Sequence, residues 1–268
     1  MEEKIQAPIT RRVQPHLTSE PPRFNWASLA FVFVTCLALG GLACRSRVTH
    51  SPTTAPITAT PPQAPHNFAR WEPEIAAYEA ADRTNPPAKG GILFIGSSTI
   101  RLWSTLASDF PNHRVINRGF GGSEIVDSTH FADRIIFPYA PKQIFLRAGN
   151  NDIHNGRLPT EVASDFAAFV RTVHARLPQT EITFISLCAV PDRWPEGDKN
   201  RLLNKMIRHM ALNMPRVSYV DAWNISLTNS GYARPELFRD DQLHFNAEGY
   251  KLLADRVRPF LPVIKTQN

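Results

Sequence analysis

Between positions 92 and 220 the apolar residues gather into five short runs, at 92–95, 114–117, 143–148, 181–187 and 216–220. Four of the five are mostly apolar, the pattern of strands buried on both faces of a parallel sheet. Between them the period changes. Val162, Phe166, Phe169, Val170 and Val173 recur at helical spacing within 161–177, and Leu202, Leu203, Met206, Ile207 and Met210 do so within 199–212. Each stretch therefore predicts an amphipathic helix. A lead-in helix is predicted over 68–83, with Trp71, Ile75 and Tyr78 close to one face, and a closing helix over 246–260. Strands alternating with helices predict an α/β domain, a three-layer α/β/α arrangement with a central parallel sheet of about five strands. In such sheets the chemistry lies beyond the carboxyl ends of the strands.

The pattern before residue 68 is different. Residues 26–43 carry no charge, with Arg11, Arg12 and Arg23 before them and Arg45 and Arg47 after. The run suits a membrane-spanning helix or a long signal-peptide core. It ends in Gly41-Leu42-Ala43-Cys44, which resembles a bacterial lipoprotein cleavage site with Cys44 as the lipidated residue. Gly41 stands where such sites usually have leucine. An uncleaved signal anchor is the other expectation, and a buried core helix a third. Arg11 and Arg12 lie too far from the apolar run for a twin-arginine signal. Residues 45–66, rich in Pro, Thr, Ala and Ser, read as a disordered tether. The expected organisation is thus 1–44 signal peptide or anchor, 45–66 linker and 67–268 folded domain, outside the cytoplasm and held at a membrane.

Composition narrows the function classes. The chain has 268 residues, 43% of them hydrophobic, enough for one sizeable core. Its net charge of +6 is spread out with no Lys/Arg run, so nucleic-acid binding gains no support. The three cysteines, Cys36, Cys44 and Cys188, allow no internal disulfide framework and no Cys/His metal spacing. Cys188 reads as a small buried hydrophobe in a strand. No metal or cofactor is expected.

Polar residues cluster at the predicted strand ends. The first run ends in Gly96-Ser97-Ser98, the second in a loop containing Gly121-Gly122, and the third in Gly149-Asn150-Asn151-Asp152. Asp240-Asp241-Gln242-Leu243-His244 precedes the closing helix. Each has an ordinary explanation: a helix cap, a loop needing positive φ, a turn, a surface capping pair. Together they supply a hydroxyl, a base, an orienter for that base and oxyanion donors, the parts that acyl transfer needs. Asp240 is a rival orienter. Arg147, one residue before the end of its run, is a candidate support for the site. The loop 190–200 is a candidate substrate-shaping rim. His154 reads as a surface or rim residue rather than a metal partner of Asp152, and His130, His174 and His209 as solvated.

These four blocks resemble those of the SGNH (GDSL-type) hydrolase superfamily, over about residues 90–260. Gly96-Ser97-Ser98-Thr99 matches the first block, with Ser97 where the family usually has Asp. Gly122 matches the second block's glycine, Asn151 the asparagine of Gly-x-Asn-Asp, and Asp241 and His244 the Asp-x-x-His of the last. The resemblance implies a flavodoxin-like sheet and an esterase with the triad Ser98, His244 and Asp241. It implies an oxyanion hole made by the N–H groups of Ser98 and Gly122 and the amide of Asn151. Ser98, at a helix N-terminus, is expected to cap that helix and to gain from its dipole. The nucleophile elbow of α/β-hydrolases does not fit, because position 100 is Ile. The expected substrates are small acyl esters, acetyl foremost, of carbohydrates or lipids. A glycan O-acyltransferase and a non-catalytic glycan- or lipid-binding lipoprotein are the alternatives.

Overall fold

The computed structural model describes residues 66–263. The predicted leader or anchor, and the linker up to residue 65, lie outside these described residues. His66, the last residue of the predicted linker, is already in contact with the body: its Nε2 is 2.7 Å from Asp127 Oδ1. No helix among the described residues is long and apolar enough to cross a membrane.

The predicted strands form as β1 (Ile92–Gly96), β2 (Val115–Gly119), β3 (Gln143–Arg147), β4 (Glu181–Ile185) and β5 (Val217–Val220). They make one sheet in the order β2-β1-β3-β4-β5, every pairing parallel. That is the flavodoxin-like order, whose switch point lies between β1 and β3. The helices are α1 (Glu72–Thr84), α2 (Ser98–Arg101), α3 (Leu106–Asp109), α4 (Ile125–His130), α5 (Ala132–Ile135), α6 (Asn150–His154), α7 (Pro159–Arg176), α8 (Gly197–Asn213) and α9 (Ala247–Val257).

Alternate strand residues feed two cores. Leu93, Ile95, Ile144, Leu146, Ile182 and Phe184 join Ile75 of α1, Phe166 and Phe169 of α7, and Leu203 and Ile207 of α8. Ile92, Phe94, Phe145, Ile185 and Val220 join Trp103 and, from α9, Tyr250, Leu253 and Val257. Both faces of the sheet are covered, which is why the strands read as apolar runs rather than as alternations.

Two expectations shift. Leu202 is exposed, because the buried stripe of α8 runs through Asn200, Leu203, Asn204 and Ile207. Asn204 earns its buried place by bonding both the N–H and the C=O of Leu187, each at 3.0 Å. Those are backbone groups that the chain frees as it leaves β4. Cys188 is buried as expected, but it lies past the end of β4, with Sγ 3.1 Å from the Ala222 carbonyl.

Gly96 ends β1 at φ +131°, and a Cβ there would fall on the Arg147 carbonyl of the neighbouring strand. Backbone strain and a clash with main chain then act together. Gly96→Ala is expected to lower the unfolding free energy by about 3 kcal/mol, measured by urea denaturation.

Candidate active site

The turn after β1 presents the two serines. The Ser97 N–H extends the ladder to the Arg147 C=O at 3.1 Å, and α2 begins one residue later. Ser97 is the N-cap of α2, though its side chain makes no capping bond, and Ser98 is the first helical residue. The expected capping role for Ser98 is therefore corrected: the turn falls a residue earlier, leaving the Ser98 hydroxyl uncommitted to the helix. With only four residues in α2, the expected dipole contribution shrinks as well, because it grows with aligned peptides. The Tyr250 hydroxyl of α9 donates to the Thr99 carbonyl at 2.9 Å and pins this turn from the other side.

Across from it, residues 237–246 fold back on themselves. Phe238 and Phe245 form an antiparallel bridge, Arg239 N–H donates to the His244 C=O at 2.8 Å, and Gln242 takes φ +53° to close the turn. Asn246 anchors the segment, its Oδ1 accepting from the N–H groups of Glu248 and Gly249 at 3.1 Å to cap α9. Within the turn, Asp241 Oδ1 accepts from Leu243 N–H at 3.0 Å and His244 N–H at 2.9 Å. Its Oδ2 lies 2.7 Å from His244 Nδ1. These bonds, led by the His244 backbone N–H, pull the Asp241 carboxyl down to about 2. A carboxylate only accepts, so Nδ1 carries the ring proton and Nε2 keeps its lone pair. Nε2 lies 2.9 Å from Ser98 Oγ, so the serine hydroxyl donates to it. Asp240, the rival orienter, has no such bond to His244 among the described residues.

Two further loops meet beside the serine. Asn151 lies on α6, after β3, and its Nδ2 donates to the Ser123 carbonyl at 2.9 Å. Gly122, after β2, sits at φ +74°. Trp71 Nε1 donates to the carbonyl of Gly121 at 2.8 Å. In a trans peptide this turns the Gly122 N–H to the opposite side. Among the described residues no backbone acceptor takes the N–H of Ser98 or Gly122. Asp152, fully buried, joins the two loops, its Oδ1 accepting from the Ile125 N–H at 3.1 Å. Trp71 is not discernible as a site residue from local pattern; it reads only as a core aromatic.

Ser98, Asn151 and His244 line one cleft with Arg147, Val190, Arg193, Leu243 and Phe245. Its free space is about 20 Å³, little more than one water molecule needs. Gly122 is not among its lining residues. Arg147 is buried, donates to the Ser186 carbonyl and lies 5.9 Å from the Phe245 ring centre, so it supports the cleft floor. A larger groove of about 570 Å³ runs beside β5 but shares no residue with this cleft and holds no paired serine and histidine. The rim loop forms a 3-10 segment, Pro191–Glu196, which sends Arg193 into the cleft and leaves Trp194 outside. His154 is exposed and pairs with Glu196 at 2.7 Å. His130 and His209 are exposed too, whereas His174 is half-buried against the Thr180 carbonyl at 3.0 Å. No group of three or more His, Cys, Asp or Glu among the described residues is placed to hold a metal ion.

Residues 96–252 match the model of the GDSL-like lipase/acylhydrolase family. The chain belongs to this family. As a GDSL-like acylhydrolase it is a carboxylic ester hydrolase. The chain is 26% identical to the platelet-activating factor acetylhydrolase IB subunit alpha1 of Bos taurus over 222 residues, 78% of this chain and 90% of that one. Its fold resembles a Streptococcus pneumonia structure named for platelet activating factor (TM-score 0.64, 21% identity, 72% and 94% of the two chains). It also resembles an acetylxylan esterase from Geobacillus stearothermophilus solved as a catalytic mutant (TM-score 0.52, 16% identity, 64% and 94%).

The buried carboxyl that ties the family's second and third blocks together has a consequence for pH. Burial pushes the Asp152 carboxyl up to about 7, with the nearby Glu124 charge adding to the rise. The folded state therefore holds this proton longer than the unfolded chain does. Unfolding free energy from this group should fall as pH rises from about 4 to about 7 and then level off. Asp152→Asn keeps the acceptor and removes the titration, so its urea-denaturation stability should lose that fall, leaving it more stable than wild type above neutral pH.

Proposed function

We propose that the protein is a serine esterase that removes small acyl groups, acetyl foremost, from carbohydrate or lipid alcohols. The observation that carries this reading is the continuous chain of hydrogen bonds from Asp241 through His244 to Ser98, at 2.7 and 2.9 Å. The narrowness of the free space beside Ser98 favours a short acyl group. The named activities of the relatives, an acetylhydrolase and an acetylxylan esterase, share acetyl-ester cleavage while differing in the alcohol.

In this mechanism Ser98 Oγ attacks the ester carbonyl carbon while His244 Nε2 takes its proton. Asp241, ionised well below neutral pH, stabilises the imidazolium and keeps the ring in its tautomer. The negative charge forming on the carbonyl oxygen is held by the N–H groups of Ser98 and Gly122 and by Asn151 Nδ2, each such donor contributing ~3 kcal/mol. The tetrahedral adduct collapses, the C–O bond to the alcohol breaks, and His244 returns its proton to the departing oxygen. Water then attacks the acyl-Ser98 ester, losing a proton to His244; the bond from the acyl carbon to Ser98 Oγ breaks, His244 returns that proton to Oγ, and the carboxylic acid leaves. These steps use only the protein's own groups and water.

The charge-free run at 26–43 and the Pro/Thr-rich stretch after it support placing the enzyme outside the cytoplasm on a membrane tether. Cleavage and lipidation at Cys44 is the form proposed. Mass spectrometry of the mature protein should then find Cys44 as its first residue, and an intact Met1 would exclude processing.

With p-nitrophenyl acetate, the full-length protein should turn over and Ser98→Ala should not. Asp241 is exposed, so water can partly replace it, and Asp241→Asn should lower kcat by on the order of 100-fold, short of the ~10⁴-fold typical of a buried triad aspartate. Undiminished turnover in Ser98→Ala would rule out the assigned nucleophile.

A further inference from the structure

We infer that Arg193, on the rim segment Pro191–Glu196, is a positioning residue that sets the orientation of the Asn151 amide. The inference rests on the oxyanion role proposed for Asn151. A primary amide has one accepting edge and one donating edge, and turning it over exchanges them at little steric cost. Only one orientation can serve an oxyanion, because that oxygen needs a donor.

Two neighbours select it. Arg193 Nη1 lies 3.0 Å from Asn151 Oδ1, and a guanidinium has no accepting atom, so it can face only the amide oxygen. On the other edge, the Ser123 carbonyl lies 2.9 Å from Nδ2, and a carbonyl can face only the nitrogen. Both contacts demand the same orientation, which commits one Nδ2 proton to Ser123 and leaves the second to be aimed at substrate. The positive charge of the guanidinium beside Oδ1 adds a second effect. It polarises the amide and strengthens its N–H as a donor.

Arg193 is itself braced from both halves of the site. Beside it, the Asp192 N–H donates to the carbonyl of Gln242, inside the Asp241–His244 turn, at 3.1 Å. Glu196 accepts from His154 at 2.7 Å, on the same helix as Asn151. The Nε of Arg193 is buried without a partner, a cost consistent with a side chain held for its Nη1 contact. Its half-buried position lowers the guanidinium pKa by desolvation, yet from a starting value so high that the charge persists at neutral pH.

The test is a double-mutant cycle on the full-length protein with p-nitrophenyl acetate, comparing Arg193→Ala, Asn151→Ala and the pair. Outright loss of an oxyanion donor costs about 100- to 1000-fold in kcat, so loss of its brace should cost less, on the order of tenfold, with KM little changed. In the Asn151→Ala background the Arg193→Ala change should then cost nothing further. Added guanidinium ion should restore part of the kcat of Arg193→Ala, and Arg193→Lys should retain more activity than Arg193→Gln, since the charge is kept. If Arg193→Ala raises KM alone, or costs the same factor with and without Asn151, the positioning role is refuted. If Asn151→Ala itself keeps full kcat, the oxyanion reading of Asn151 fails and this inference falls with it. Should Arg193→Ala not fold, the Lys and Gln variants carry the same cycle.

Discussion

The hydrogen bond from the Ser97 N–H to the Arg147 carbonyl, 3.1 Å long, is the last rung between β1 and β3. Everything at the site is placed relative to it. It holds the turn that bears Ser98, the proposed nucleophile, against the strand whose end carries Asn150 and Asn151, at the switch point of the sheet. Gly96 is the residue that lets the rung form, since any side chain there would collide with that carbonyl. Because β1 is buried on both faces, this end cannot drift. The carboxyl end of an interior strand thus supplies the precision that a loop-borne serine would lack.

Around that rung the polar groups divide by exposure. Asp241 is exposed and satisfied three times over, so it stays charged and local. Asp152 is buried, so desolvation outweighs its backbone hydrogen bonds and raises its carboxyl to about 7. The two carboxyls lie on different segments, Asp241 in the 237–246 turn and Asp152 on α6, and their acidities shift in opposite directions. One keeps a histidine in its tautomer; the other joins two loops without placing a full charge inside the core.

The parts legible from residue order were those written in local spacing. β1 and β3 are near-continuous apolar runs, α7 and α8 have clear periodicity, and Asp241 and His244 share one turn. The misreadings have physical causes. Leu202 counts towards the apolar period of α8, but packing chose a stripe that includes Asn204, whose amide repairs the backbone beyond β4. Ser98 looked like a cap because Ser-Ser after a strand offers two candidates, and only the backbone angles at Ser97 decide between them. The glycine-rich loop and Gly-Asn-Asn-Asp block were visible as chemistry but not as a joined pair.

From the chain of letters came the α/β architecture, the family's four blocks and the Ser, His and Asp to examine, because periodicity, turn chemistry and motif spacing are local properties. The folded molecule alone revealed that Trp71 holds the Gly121 peptide and Arg193 the Asn151 amide, over separations of 50 and 42 residues. It also brought His244 to Ser98, 146 residues away, within hydrogen-bond reach. Such contacts leave no periodic trace. An indole N–H or a guanidinium becomes a support for a site only when packing carries it to an unpaired carbonyl or amide oxygen.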